Sequence, residues 1–166
     1  MKRQIIFFIL TLLTMWVIFG YSSRDSNESE EDSVGVGMFI GHIFVPEFDE
    51  LSDKEQYEYA KKIDHPVRKT AHFTEYMILG LFVLGTLYPK KETKNKKSII
   101  SSGFIALLIT AIYAGTDEFH QTFVPGRAGR LSDVLIDSSG ALLGIFVVTL
   151  ISLIRFKNKK KNEEKY

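Results

Sequence analysis

The fold class this sequence predicts is an all-α, polytopic membrane protein with four transmembrane helices. Both termini are expected to be cytoplasmic, with short interfacial helical segments in the first outward loop. Three observations carry that expectation. The apolar residues are gathered into four long blocks and the charges into the gaps between them, which is how a small membrane protein reaches a mean hydropathy of only +0.03. The 166 residues fit one folding unit, so 1–166 reads as a single membrane domain. The two signs of charge are also segregated: residues 24–64 hold twelve acids against four bases, whereas 90–97 holds five bases and one acid, and 155–166 six bases and two acids. Short basic tracts flanking apolar blocks do not make one basic face, which argues against nucleic-acid binding. The absence of cysteine excludes disulfides, thiol catalysis and cysteine-held metals.

The first block, 5–21, follows Lys2 and Arg3 and is just long enough to cross about 30 Å of hydrocarbon at about 1.5 Å per residue. A cleaved signal peptide is the rival reading, given the small residues Gly20, Ser22 and Ser23. The apolar stretch exceeds an ordinary signal core, which favours a retained anchor. The other spans are 70–88, 98–116 and 134–154. Four crossings put both termini on one side, and the positive-inside rule makes that side the cytoplasm: the N-terminal pair, the 90–97 loop and the 155–166 tail carry thirteen of the twenty-one bases. The loop 22–66 and the connection 117–132 then face outward.

Within the outward loop, 24–33 is polar and acidic and is expected to hang loose beside the membrane. Residues 34–45 are apolar but too short to span, which suggests an interfacial or re-entrant piece. Ser52 and Glu55 have capping-box spacing before a charged stretch ending near Ile63, and Pro66 suits the first turn of the next helix. His42 and His65 look isolated.

Ionisable residues enter three of the blocks at one depth. At about 100° per residue, Arg68, His72, Glu75 and Leu79 share a face bordered by Lys69 and Tyr76. At the end of the third block Asp117, His120 and Gln121 face one way, while Glu118 looks toward Gln121 and Thr122. Pro125 and Gly126 turn the chain; Arg127 and Arg130 follow, with guanidinium forks suited to carboxylate or phosphate. Phe119 and Phe123 read as interface anchors. In the fourth block Asp133, Asp137, Gly140 and Gly144 fall on one face, so carboxylates and close-packing glycines coincide. Asp137 lies inside an apolar span and should meet Arg127, Arg130, Lys69 or His72. His72, Glu75, Asp117, Glu118 and His120 are the candidate catalytic groups, and Arg68, Lys69, Tyr76, Gln121, Arg127, Arg130, Asp133 and Asp137 the candidate binding groups. His72, His120, Glu75, Glu118 and Asp137 are suitable ligand types for a divalent metal, but no metal set is assigned and no cofactor is expected.

The strings RKTAHFTEYMILG (68–80) and TDEFHQTFVPGRAGRLSDVLIDSSGALLG (116–144) resemble, in order and topology, the two signatures of the VanZ-like family of bacterial membrane proteins. The likeness covers about 67–145 and leaves the acidic stretch 24–32 outside. The family's recurring positions would fall on Arg68, Lys69, His72, Glu75, Tyr76, Asp117, Glu118, Gln121, Arg127, Asp133, Asp137 and Gly140. The resemblance implies a multi-pass protein of the bacterial cell membrane and an association with resistance to the glycopeptide teicoplanin, without a settled reaction. Three readings stay open. The outward cluster acts on or binds a cell-envelope component, such as a lipid-linked precursor or a lipoglycopeptide. It is an intramembrane hydrolase or transferase for a lipid-linked phosphate or sugar. Or it is a structural network of buried ion pairs.

Overall fold

The computed structural model describes residues 2–163; Met1 and the last three residues of the basic tail lie outside the described residues. Among the described residues the chain forms five α-helices, two short 3-10 turns (Phe48–Glu50 and Lys91–Thr93) and no strand: α1 (Lys2–Ser22), α2 (Ser26–Phe44), α3 (Asp53–Leu87), α4 (Lys96–Gln121) and α5 (Leu131–Glu163). Helices α1, α3, α4 and α5 are long and apolar enough to cross a membrane. Their outward faces fit that solvent, since Trp16, Phe104, Ile112 and Phe146 remain exposed and a lipid surround removes such surface from water.

Helix α3 is the central element, touching α1, α2, α4 and α5 and meeting α5 most extensively. The core runs along these seams through Ile18, Tyr76, Leu79, Val83, Leu84, Ala106, Ala114, Ala141 and Ile145. Its contacts are close because small residues sit where backbones approach. A Cβ built at Gly140 would stand 2.1 Å from the Phe73 carbonyl oxygen, and one at Gly144 2.9 Å from Cγ of Met77. Between lipid-facing helices, such dispersion contact substitutes for the hydrophobic drive that operates in water.

The segment 22–66 differs from its sequence reading. In place of a loose acidic stretch followed by a separate short apolar piece, 26–44 is one helix. Asp25 caps it, accepting from the Asn27 and Glu28 amides at 2.8 and 3.0 Å, and the Glu28 carboxylate closes the box on the Asp25 amide. That cap, the Lys61–Glu30 ion pair at 3.0 Å and the Ser33–Asp64 hydrogen bond fix the acidic residues against α3. Arg24 also pairs with Asp32. Composition alone predicts disorder here; a capped turn and a neighbouring helix overrule it.

Pro66 does not open a helix but lies inside α3, which runs unbroken for 35 residues from the Ser52–Glu55 capping box. A proline in a helix interior costs about 3 kcal/mol in isolation. Here α2 supports the half of α3 preceding it, and the Pro66 carbonyl still accepts from Thr70 Oγ1 at 2.8 Å. The helices also outrun the apolar blocks, α4 ending at Gln121 rather than 116 and α5 beginning at Leu131 rather than 134. The ionisable residues of α3, α4 and α5 therefore sit on regular helix, with Arg127 and Arg130 in the connection between α4 and α5.

Candidate functional site

Three helix segments and one turn converge at one end of the bundle: the middle of α3, the last turns of α4, the first turns of α5, and the connection 122–130. Gly126 makes the turn in the left-handed region at φ +71°, and a Cβ there would lie 2.2 Å from Ser26 Oγ at the start of α2. The Ser26 amide donates to the Pro125 carbonyl at 3.3 Å, and the Arg130 amide donates to the Glu118 carboxylate at 2.8 Å. Both ends of the turn are thus tied to helices, and Arg127 between them is held over the bundle.

A polar cavity of about 180 Å³ opens beneath it. Arg68, Lys69, His72, Glu118, Gln121, Arg127, Arg130, Asp133 and Asp137 all line this cavity. The cations are not used alike. Arg68 pairs with Asp64 at 2.6 Å, and Lys69 with Asp133. Neither Arg127 nor Arg130 makes an ion pair with a carboxylate among the described residues; Arg127 donates from Nη1 to the Gln121 amide oxygen at 3.3 Å, while its Nε is buried without a partner. Burial first, and the nearby Arg68 cation second, lower the Arg127 pKa, outweighing the attraction of Asp117, Glu118 and Asp25.

Asp137 is fully buried, and neither carboxylate oxygen has a hydrogen bond. Of the four partners expected for it, His72 is the nearest contact, with Nδ1 3.8 Å from Oδ1, too far for a hydrogen bond. An unsatisfied buried polar group costs about 1–3 kcal/mol, more when charged. Asp137 and Arg127 therefore both leave unfilled bonding capacity in the lining of one cavity.

A second cavity of about 940 Å³ adjoins the first, sharing Arg68, His72 and Arg127. Its other walls are mainly apolar, including Val36, Ile40, Ile63, Val67 and Ile78 from α2 and α3. Glu75 lies here rather than in the polar cavity, and its carboxylate makes no hydrogen bond or ion pair among the described residues.

Three of the residues singled out in the sequence sit elsewhere. Tyr76 and Asp117 are buried below the cavity. There Asp117 Oδ2 accepts from Ser22 Oγ at 2.8 Å and Tyr76 Oη at 3.1 Å, with Gln121 Nε2 at 3.5 Å. His120 does not share that face: its ring packs on Phe19 of α1, centroids 4.5 Å apart. Residues three and four positions on from Asp117 lie to either side of it, about 100° apart, and His120 takes the side where Phe19 of α1 packs. Among the described residues no group of three or more His, Asp or Glu side chains is placed to hold a metal ion.

Two participants escaped sequence reading. Ser22 looked like part of a cleavage site, and only its proximity to Asp117, 95 positions later, reveals it as a partner. His65 looked isolated but lines the polar cavity; it stands one turn before Lys69 and two before His72, a helical spacing visible only once α3 is known to continue through Pro66. His42 lies apart, its Nδ1 on Asp49 and its ring against Phe48.

No curated protein and no solved structure matches the chain significantly. The VanZ/LLP1 family model matches residues 7–152. That match begins within α1 and runs through the acidic stretch 24–32, so it is wider than the two signature strings. With four membrane-capable helices around the motif-bearing cluster, the chain is a multi-pass membrane protein and belongs to the VanZ/LLP1 family.

Proposed function

We propose that this protein of the bacterial cell membrane binds an anionic, lipid-linked component of the cell envelope at its outward-facing cluster, and thereby contributes to resistance to teicoplanin-type glycopeptides. The observation that carries the reading is the pair of adjoining cavities joined through Arg68, His72 and Arg127. A charged head matches the polar cavity, where Arg127 and Arg130 lack carboxylate partners; an acyl chain matches the apolar one. Arginine suits phosphate because its fork donates two parallel hydrogen bonds. Teicoplanin-type molecules carry an acyl chain and act at the outer membrane surface, so a bilayer site of this polarity is placed to compete for or alter their target.

The outward orientation follows from the basic excess of the opposite end. Reporter fusions at Lys94 and at the C-terminus are expected to report cytoplasm, and an external signal at either would put the cluster inside the cell.

Glu75→Gln and Arg127→Lys separate function from scaffold, since both nearly keep size. One removes a charge and the other a bidentate fork. With binding at the cluster, resistance to an acylated glycopeptide falls in both variants while abundance and melting temperature in detergent stay near wild type; the response to a non-acylated glycopeptide changes little. An ion-pair scaffold would instead show itself in Asp133→Asn, which removes the partner of Lys69, and there abundance and melting temperature would fall with the phenotype. Wild-type resistance in both Glu75→Gln and Arg127→Lys would sink the assignment.

The His72–Asp137 approach favours one second reading, an intramembrane hydrolase or transferase. His72 takes a proton from the water that attacks a lipid-linked phosphate held by Arg127 and Arg130, and the Asp137 carboxylate, 3.8 Å from Nδ1, supports the resulting imidazolium by charge rather than by a hydrogen bond. Phosphate release from a lipid pyrophosphate by purified protein, lost in His72→Gln, would decide for catalysis over binding.

A further inference from the structure

At the opposite end of the bundle, a cavity of about 480 Å³ is lined by six cationic side chains, Arg3, Lys91, Lys94, Arg155, Lys159 and Lys160, and by no acid. They come from the start of α1, the α3–α4 connection and the end of α5, segments far apart in sequence. Tyr88 organises two of them. Arg3 donates from Nη2 to the Tyr88 carbonyl at 3.2 Å, its guanidinium 5.3 Å from the Tyr88 ring centre, and Lys94 Nζ stands 4.9 Å from the same ring. These contacts hold like charges together where repulsion alone would spread them into water.

The cavity does not end at the basic rim. Arg3, Tyr88, Lys94 and Arg155 also border a groove of about 500 Å³ that descends along the helices, walled by Phe7, Leu81, Leu84, Gly85 and Val148. Gly85 lets the Phe7 ring of α1 pack against α3 in its wall, since a Cβ there would lie 2.4 Å from that ring. A cluster of cations above an apolar slot, at the level where a helix leaves the bilayer, has the polarity of a phospholipid turned into the protein.

We propose that this end of the bundle is a binding site for an anionic phospholipid, the phosphate held by Arg3, Lys94 and Arg155 and one acyl chain lying in the groove between α1, α3 and α5. The site is independent of the polar cluster at the other end. Free phosphate shares the headgroup chemistry, but the groove favours the lipid, because a soluble anion leaves it empty.

Native mass spectrometry of the full-length protein, titrated with phosphatidylglycerol, tests the site. Arg3→Gln with Arg155→Gln is expected to weaken lipid retention about thirtyfold, the loss of two cation–phosphate contacts. Lys96→Gln with Lys97→Gln, at the same end but outside the cavity, is expected to bind as wild type, as is phosphatidylcholine to either pair, weakly. Val148→Trp fills the groove and keeps every cation, and is expected to weaken retention about tenfold, the burial of roughly two methylenes; it carries the test if the arginine pair does not fold. Equal losses in the two cationic pairs would reduce the site to a general basic belt and overturn the proposal. So would full retention in Val148→Trp, or displacement of the lipid by equimolar inorganic phosphate.

Discussion

Gly140→Val is expected to abolish the folded bundle or leave it several kcal/mol less stable, at or above the top of the overpacking range of about 1–3 kcal/mol. The reason is what the new side chain meets. At Gly140 it is the Phe73 carbonyl, a backbone atom 2.1 Å from the added Cβ, within the largest helix contact of the molecule. Backbone cannot turn aside, so α5 must move off α3, and Asp137 and Asp133 leave His72 and Lys69 together. Gly144→Ala is the internal comparison. There the nearest atom is the flexible Met77 side chain at 2.9 Å, which can shift, and the loss is expected to stay below about 1.5 kcal/mol. Thermal unfolding in detergent, read with size-exclusion profiles, checks both; a Gly140→Val protein that melts with wild type would contradict the α3–α5 packing.

The second large effect is expected at Asp117. Asp117→Ala strips the shared acceptor from Ser22, Tyr76 and Gln121, all buried. At about 1–3 kcal/mol for each buried group left without a partner, reduced where the groups find one another, the net cost is about 3–5 kcal/mol. Asp117→Asn retains a carbonyl acceptor and should lose roughly half as much. Ser22→Ala removes one donor of three and should cost about 1 kcal/mol. Unfolding midpoints in denaturant and detergent would establish the order Ala, then Asn, then Ser22→Ala; equal losses for Asp117→Ala and Asp117→Asn would show that charge, not hydrogen bonding, holds Asp117.

The four apolar helices were legible because lipid demands long uninterrupted blocks and charge marks their ends. The face of α3 carrying Arg68 and His72, and the face of α5 carrying Asp133, Asp137 and Gly140, were legible for a simpler reason: helical periodicity is fixed once a helix is assumed. What escaped depends on partners remote in sequence. The helicity of 26–33 needs α3 beside it, the continuity of α3 through Pro66 needs α2, and the orientation of His120 follows from where α1 lies. The separation of Glu75 from the polar cavity is equally tertiary. His72 and Glu75 lie one turn apart, yet His72 borders both cavities and Glu75 only the apolar one.

The pairing of three acids of the cluster also follows the order of synthesis, whereas Glu118 is held by the later Arg130 amide. Ser22 and Tyr76 precede Asp117, Lys69 precedes Asp133, and His72 precedes Asp137. Chains emerge from the ribosome N-terminus first, so each of these acids reaches the bilayer after a donor or cation that will receive it. An acid arriving first would wait unpaired in hydrocarbon, where insertion of a carboxylate is costly. On this sequence of events α4 and α5 enter against a receptor surface already laid down by α1 and α3, and a rearranged gene that encodes α5 ahead of α3 would present Asp133 and Asp137 to the membrane with nothing to meet them.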